Sequence, residues 1–200
     1  MPCVFVHAEH SGKTQRAAPC LEAVTPGCEW VLAGDGIATR KLDGTACAII
    51  EGHLFARYDA KHGKTPPVGA MPCDPAPDPV TGHWPHWVEV KDQPEFKWHR
   101  EAWASMRRLA IGPETDGTFE LIGPAINSNK ERISGVHRLI RHGSAVLDDA
   151  PRTHSGLKEY LSQLDAEGIV FHHPDGRMAK IRRADFCLPW PRGIDSMTPG

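Results

Sequence analysis

The sequence has no apolar run long enough for a membrane-spanning helix, which needs about 20 residues. Its first residues, MPCVFV, also lack the charged region that precedes the apolar stretch of a secretory signal peptide. Apolar residues make up 40% of the chain and charged residues 24%, as is ordinary for a soluble globular domain. These features argue against secretion and membrane insertion, and they predict a cytoplasmic protein.

Paired cysteines are missing as well. None of the six cysteines forms a Cys-x-x-Cys pair, so we expect free thiols in a reducing compartment. The twelve histidines do not stand at zinc-ligand spacing beside cysteine pairs. Their densest cluster, HWPHW at residues 83–87, is predicted to be an aromatic loop that covers another part of the molecule.

An excess of either charge is lacking too, since the net charge is −2. A nucleic-acid partner would therefore have to be held by a local basic surface. A complete phosphate-binding P-loop is also absent, because His7 stands where the motif that ends in Gly12, Lys13 and Thr14 requires its first glycine. Residues 9–18 are accordingly predicted to form a polar surface loop.

Turn-forming residues are plentiful, with 19 glycines and 18 prolines, which suits a strand-rich fold. The patterns predict strands at residues 4–6, 29–33, 46–50, 53–57, 117–122, 136–140, 168–171 and 177–182, and helices at residues 96–110 and 156–166. The proline- and glycine-rich segment 58–80 is predicted to be a loop. With no internal repeat, this order of elements predicts an α+β fold with antiparallel sheets.

Lys41 lies in the stretch that organises these elements, residues 39–45. We expect the strands at 29–33, 46–50 and 53–57 to surround it, the last two joined as a hairpin through Glu51 and Gly52. Asp43 and Gly44 follow the lysine directly. Nucleotidyl transfer by a lysine needs such an arrangement, because the nitrogen must reach a phosphorus atom and glycine lets backbone and ligand approach closely.

Three further motifs follow in order: FELIGP with Glu120, EGIVF with Glu167, and KIR with Lys180. Together with the Lys-x-Asp-Gly motif of Lys41 they resemble the motifs of the covalent nucleotidyltransferase superfamily, which comprises DNA ligases, RNA ligases and mRNA capping enzymes. The resemblance runs from about Gly34 to Phe186. It implies an adenylation core with ATP-grasp-like architecture.

The resemblance implies a catalytic role for Lys41, as the nucleophile that forms a lysyl-nucleotide, and for Lys180. Glu167 would place a divalent metal, Mg²⁺ or Mn²⁺. The nucleotide-binding residues implied by the same motifs are Lys41, Asp43, Gly44, Arg57, Glu120, His137, Lys180 and Arg182.

Within that set, Glu120 would hold ribose hydroxyls, and Arg57 would contact the nucleotide or the incoming phosphate. Lys180 and Arg182 would grip the α-phosphate, with arginine standing where the family usually has a second lysine. His137 is either the residue that stacks on the base or a core histidine.

Elementary chemistry agrees with these roles. A free lysine is protonated at neutral pH, and burial beside Lys180, Arg182 and a divalent metal would lower its pKa. The same cations would stabilise charge on the α-phosphate as pyrophosphate leaves. Singly, each residue could equally be a solvated surface group or part of a turn, and their order along the chain favours the catalytic interpretation.

Only eighteen residues follow Arg182, and they are rich in proline. We therefore expect no OB-fold domain, and we assign residues 1–28 to an N-terminal segment, 29–187 to the adenylation domain and 188–200 to a tail. Among the superfamily the chain is most similar to the compact ATP-dependent 5′-to-3′ RNA ligases.

That similarity implies a partner RNA with 5′-phosphate and 3′-hydroxyl ends, sealed through lysyl-AMP and adenylylated-RNA intermediates. Electrostatic contacts with RNA are expected from Arg100, Arg107, Arg108, Lys130, Arg132, Arg138 and Arg141. The alternatives are a DNA ligase, a GTP-using nucleotidyltransferase, an AMP transferase and a nucleotide-binding module. RNA-dependent discharge of the lysyl-AMP would discriminate between them.

Overall fold

Short strands bounded by glycine or proline dominate the fold. The computed structural model describes residues 1–8, 18–61, 64–79, 81–108 and 116–191. It divides into two compact units, the first formed by Met1–Leu42 with Gly143–Gly200 and the second by Asp43–His142. The architecture is α+β with antiparallel sheets, as predicted.

The regular elements are named here in chain order. They are β1 (Phe5–His7), β2 (Cys20–Val24), α1 (Glu29–Leu32), β3 (Ile37–Lys41), β4 (Thr45–Ile50), β5 (His53–Ala60), β6 (Met71–Pro72), β7 (Trp84–Glu89), α2 (Lys97–Arg108), β8 (Gly117–Ile122), β9 (Arg138–Arg141), α3 (His154–Gln163), β10 (Gly168–His172) and β11 (Met178–Arg182). Short 3₁₀ turns cover Pro94–Phe96, Asn127–Asn129 and Arg183–Phe186. None of the helices within the described ranges is long and apolar enough to cross a membrane.

In the first unit, β3, β10 and β11 form an antiparallel sheet in the order β11-β10-β3. Side chains on one face of this sheet are buried in a core with α1 and α3, because alternate residues of a strand point to the same side. The buried members of that core include Val31, Ala38, Leu157, Leu161, Ile169, Phe171, Ala179 and Ile181. The opposite face carries Lys41, Lys180 and Arg182.

In the second unit, six strands form a sheet in the order β6-β7-β5-β4-β8-β9. The predicted hairpin of β4 and β5 is confirmed. Its turn residues, Glu51 and Gly52, have φ values of 51° and 75°, the positive values that a tight two-residue hairpin requires. The core on this sheet is shared with α2, whose Ala102 is 1% exposed.

The prediction of a strand at residues 29–33 is wrong, because these residues form α1. A short apolar run does not distinguish a buried strand from a buried helical turn. The local signals favour the helix: the Glu29 carboxylate accepts a hydrogen bond from the amide of Gly27 (2.9 Å), and Gly34, at φ 91°, follows its end. The expected strand neighbour of Lys41 is therefore supplied by β10 instead.

The predicted aromatic loop at residues 83–87 is also wrong, because most of it lies in β7. This strand pairs with β5, which continues to Ala60 into the segment predicted to be a loop, and with β6. His86 is buried and its ring Nδ1 lies 2.8 Å from the carbonyl oxygen of Trp84. Cross-strand neighbours decide such a segment, since local strand propensity is weak where proline and histidine interrupt it.

Of the remaining elements, both predicted long helices and the hairpin of β10 and β11 are confirmed. The strand predicted at 136–140 is β9 and lies one to two residues later. The loop predicted at residues 9–18 and the end of the helix predicted to reach Ala110 lie largely outside the described residues.

Candidate active site

Lys41, the predicted nucleophile, is the last residue of β3, and its Nζ donates a hydrogen bond to the carboxylate of Glu167. Both side chains are partly buried, with 22% of Lys41 and 20% of Glu167 exposed. Glu167 directly precedes β10, the strand paired with β3. The first unit thus brings together the predicted nucleophile and the predicted metal-binding carboxylate.

Strand register places Lys180 and Arg182 on the same face as Lys41. Gly168 of β10 lies opposite both Lys41 on β3 and Arg182 on β11, and Val170 lies opposite Lys180. Residues opposite one another in neighbouring strands point to the same side of the sheet. Three of the predicted site cations therefore share one surface, which is suited to a phosphate group.

Gly168 allows the strands to approach one another at this point. A Cβ atom there would lie 2.2 Å from the carbonyl oxygen of Ile181 and 2.8 Å from the Cα of Arg182. No side chain fits at those distances, so only glycine permits this register between Lys41 and Arg182.

The electrostatics of this face favour an anion. Burial lowers the pKa of Lys180, and the neighbouring charges of Arg182 and Lys41 lower it further. Placing a phosphate beside these cations would relieve their repulsion. The carboxylate of Asp185 accepts hydrogen bonds from the Arg182 guanidinium, Nε at 3.2 Å and Nη2 at 2.7 Å, and it raises the pKa of Arg182.

In the second unit, Glu120 is linked to Gly44. The Gly44 amide donates to Oε1 of Glu120 (3.0 Å), and the His142 ring Nε2 lies 2.8 Å from Oε2. A Cβ at Gly44 would lie 2.3 Å from the carbonyl oxygen of Leu121, so glycine is required by this close approach. Gly44 of the first predicted motif and Glu120 of the second are therefore adjacent within this unit.

Asp43 is held by polar residues in and just after the 3₁₀ turn Asn127–Asn129. Its carboxylate accepts hydrogen bonds from the side chains of Asn127 and Lys130, each at 2.7 Å. Its amide donates to Oε1 of Glu131 at 2.8 Å. Asp43 is thus oriented by three residues that lie more than 80 positions later in the chain.

Arg57 lies on β5, which β4 separates from the strand of Glu120. Its side chain is 44% exposed and reaches Asp59 at 3.7 Å, a distance typical of a weak surface ion pair. Its predicted contact with a nucleotide or phosphate stays a prediction.

His137 is 3% exposed and stacks on Trp98, with ring centroids 4.4 Å apart and planes at 19°. Nε2 accepts a hydrogen bond from the amide of Ala125 (3.2 Å), so the proton lies on Nδ1, which donates to Glu101. This burial and pairing favour the core-histidine interpretation that the sequence left open. The base-stacking role stays a prediction.

The family model for RNA ligase 1 matches residues 105–198, which include Glu120, Glu167 and Lys180. RNA ligase 1 of Mus musculus is 27% identical over 265 aligned residues, which cover 96% of this chain and 81% of that protein. RNA ligase 1 of Danio rerio is 26% identical over 267, with the same coverage. The predicted resemblance to an RNA ligase family is confirmed.

The sequence analysis missed the supporting contacts of several residues in the candidate site, and it named Lys130 only as an expected RNA contact. Asn127, Lys130, Glu131 and His142 support Asp43 and Glu120 in the second unit, and Asp185 supports Arg182 in the first. None of them stands in a motif with a recognisable spacing. The only sequence signal was the proximity of Asp185 to the Lys-x-Arg motif.

The cations expected to contact RNA have varied surroundings in the second unit. Arg100 and Arg107 line one pocket of about 370 Å³ together with Trp103 and His53. Lys130, by contrast, is paired with Asp43, and the Arg141 guanidinium lies over the ring of Phe119 at 4.9 Å. Arg100 and Arg107 therefore share a recess, whereas Lys130 and Arg141 are engaged by other residues of the protein.

Proposed function

We propose that this chain is an ATP-dependent RNA ligase that joins 5′-phosphate and 3′-hydroxyl RNA ends. The observation that carries the proposal is the contact of Lys41 with Glu167 on the sheet face that also bears Lys180 and Arg182. The similarity to proteins named RNA ligase 1 supports a ligase that acts on RNA.

In the first step, the unprotonated Nζ of Lys41 attacks the α-phosphorus of ATP. A nitrogen–phosphorus bond forms, the bond from that phosphorus to the bridging oxygen breaks, and pyrophosphate leaves. Glu167, hydrogen-bonded to Nζ, can accept the departing proton. Lys180 and Arg182 stabilise the negative charge that develops on the α-phosphate.

In the second step, a 5′-phosphate oxygen of RNA attacks the same phosphorus, the nitrogen–phosphorus bond breaks, and Lys41 regains its amine. In the third step, a 3′-hydroxyl attacks the 5′-phosphate and AMP leaves. In the second unit we assign Glu120 to the ribose hydroxyls, with Asp43 and Gly44 completing the nucleotide-binding motif.

We propose that the carboxylate of Glu167 helps to place a divalent metal. Mg²⁺ prefers oxygen ligands and is usually bound through one or two carboxylates together with substrate phosphates. Glu167, whose side chain is 20% exposed, supplies such an oxygen and would hold Mg²⁺ or Mn²⁺. When bound, the metal would neutralise charge on the triphosphate.

The test is to incubate the purified protein with α-³²P-labelled ATP and Mg²⁺ and to measure label that survives a denaturing gel. We expect wild type to be labelled and Lys41→Ala to be unlabelled. Lys158→Ala, which removes an exposed lysine of α3, is the matched control and should be labelled like wild type. Intact mass identifies protein that was already adenylylated, and absence of both label and added mass would contradict the proposal.

The acceptor is tested on the labelled protein. Addition of 5′-phosphorylated RNA should discharge the lysine and yield adenylylated and then sealed RNA. Discharge by DNA alone, or labelling by GTP alone, would replace the proposal with the corresponding alternative. Labelled protein that no polynucleotide discharges would indicate an AMP transferase.

A further inference from the structure

Asp185 lies in the 3₁₀ turn Arg183–Phe186, which directly follows β11. Its side chain is fully buried, with 0% exposed. It accepts three hydrogen bonds from one residue, Arg182: from the backbone amide at 2.8 Å, from Nε at 3.2 Å and from Nη2 at 2.7 Å. A buried carboxylate with so many contacts to one arginine restricts the orientation of the guanidinium.

Such restriction matters because the arginine side chain is long. Unrestrained, it loses substantial rotamer entropy when it is fixed against a ligand. A guanidinium has five N–H donors in a planar fork. Asp185 uses one on Nε and one on Nη2, so three remain for the oxygens of a phosphate.

The turn that carries Asp185 is itself anchored from two sides. The His7 ring Nε2 lies 3.1 Å from Oδ1 of Asp185, and the thiol of Cys3 lies 3.7 Å from Oδ2. The adjacent Arg183 is buried and donates to the carbonyl oxygens of Leu161, of Leu164 at 3.0 Å and of Pro189 at 2.7 Å. The carboxylate therefore forms a fixed support for the arginine.

Asp185 remains ionised in this position. Burial alone would raise its pKa, but the hydrogen bonds and charge of Arg182, together with the hydrogen bond of His7, outweigh burial and hold the pKa below its usual value. The pair is thus a charge-assisted one in which the acceptor is anionic.

We propose that Asp185 is a positioning residue that aims the Arg182 guanidinium at the α-phosphate during formation of the lysyl-AMP. The inference rests on the proposed function. An ammonium acts as a point charge from any direction, whereas a planar guanidinium must be oriented, so an arginine at this position needs a partner such as Asp185.

The experiment compares Asp185→Asn, Arg182→Ala and the double variant by single-turnover formation of lysyl-AMP. We expect Asp185→Asn to slow formation by about 10- to 100-fold, because small displacements at a reacting centre have effects of this size. In the Arg182→Ala background the same substitution should have no further effect, since it acts only through the guanidinium. An equal slowing in both backgrounds, or none in either, would overturn the proposal.

Asp175→Asn is the matched control. Asp175 pairs with Arg177 at 2.8 Å in the turn of the same hairpin, so its loss removes an Asp–Arg pair without touching Arg182. Its labelling rate should equal that of wild type. If wild type itself gives no lysyl-AMP, the proposed function fails; if wild type labels normally and the effects of Asp185→Asn and Arg182→Ala add, only the positioning role fails.

Asp185→Glu keeps the inference testable if Asp185→Asn does not fold. It retains the buried negative charge opposite Arg182 but moves the carboxylate by one methylene group, which changes the direction of the guanidinium. We expect slower lysyl-AMP formation by protein whose folding is checked by circular dichroism. Folded Asp185→Glu that forms lysyl-AMP at the wild-type rate would contradict the proposal.

Discussion

Arg182 and Arg183 are neighbours of the same type with different surroundings. Arg182 is oriented by Asp185 on the face of the sheet that bears Lys41, whereas Arg183 is 6% exposed and donates to carbonyl oxygens at the end of α3. A cation at the C-terminal end of a helix is favourable, because it meets unpaired carbonyl groups and the negative end of the helix dipole. Of these two adjacent arginines, Arg182 has a proposed chemical role and Arg183 a structural one.

At the same scale, the buried ring of His99 leads us to expect that the free energy of unfolding depends on pH. Burial lowers the pKa of His99 to about 4, and the charge of Arg100 adds to the effect. Since the folded-state pKa lies below the unfolded value, the unfolded chain binds more protons between about pH 6.5 and 4. The stability that the neutral ring contributes is present above pH 6.5 and is lost as the pH falls toward 4.

Urea unfolding at pH 7 and pH 4.5 measures this contribution. We expect His99→Gln to lessen the loss of unfolding free energy on acidification by about 1–2 kcal/mol, a figure discounted for the partly exposed ring. If wild type and His99→Gln lost the same unfolding free energy between pH 7 and pH 4.5, His99 would not contribute to the pH dependence.

At the scale of elements, the strands β3, β10 and β11 determine the candidate site. The cationic face combines Lys41 of β3 with Lys180 and Arg182 of β11. The register at Gly168 aligns Lys41 with Arg182. The second unit uses a glycine similarly, since Gly44 lets Glu120 approach the backbone. At Gly168 two strand backbones approach each other, and at Gly44 the backbone approaches a carboxylate. A side chain at either glycine would force these groups apart.

Gly168→Ala tests this alignment. The added methyl group would meet the Ile181 carbonyl at 2.2 Å, so we expect destabilisation of about 2 kcal/mol or more and slower lysyl-AMP formation. The matched control is Gly176→Ala in the turn of the same hairpin, where nothing lies within 4 Å but φ is +92°. It should cost about 1–2 kcal/mol and leave the labelling rate unchanged. Equal labelling by both variants would show that the register at Gly168 does not set the site.

At the scale of the whole molecule, the net charge of −2 gives no general attraction to RNA. The proposed binding of RNA would therefore depend on local cations, of which Arg100 and Arg107 share a recess with Trp103. Contacts with phosphates depend on salt because they release counterions. In the proposed function, ATP would be held by a compact set of cations and a metal, and it would form fewer such contacts than a polynucleotide.

The two half-reactions should accordingly differ in their response to salt. Raising NaCl from about 50 to 200 mM should weaken RNA binding by about 50-fold for four phosphate contacts, with a much smaller effect on labelling by ATP. The measurement is the RNA concentration that half-saturates discharge of pre-formed lysyl-AMP at each salt concentration. An unchanged half-saturating concentration would exclude phosphate contacts as the main source of RNA affinity.

The sequence alone predicted the features that depend on neighbouring residues. The turn at Glu51 and Gly52, the helices α2 and α3 and the β10–β11 hairpin follow from turn chemistry and periodicity, which act over a few positions. The order of the motifs around Lys41, Glu120, Glu167 and Lys180 was readable for the same reason, and it predicted the resemblance that the relatives confirm.

Only the tertiary structure decided which residues meet. Lys41 contacts Glu167 across 126 positions, and Glu120 contacts Gly44 across 76. The strand β7 was mispredicted because pairing with distant segments outweighs its weak local strand propensity. The helix α1 was mispredicted because a short apolar run does not distinguish a buried strand from a helical turn. The supporting role of Asp185 likewise depends on a buried turn anchored by His7 and Arg183, an arrangement that no local pattern specifies because strand pairing and core packing bring its parts together.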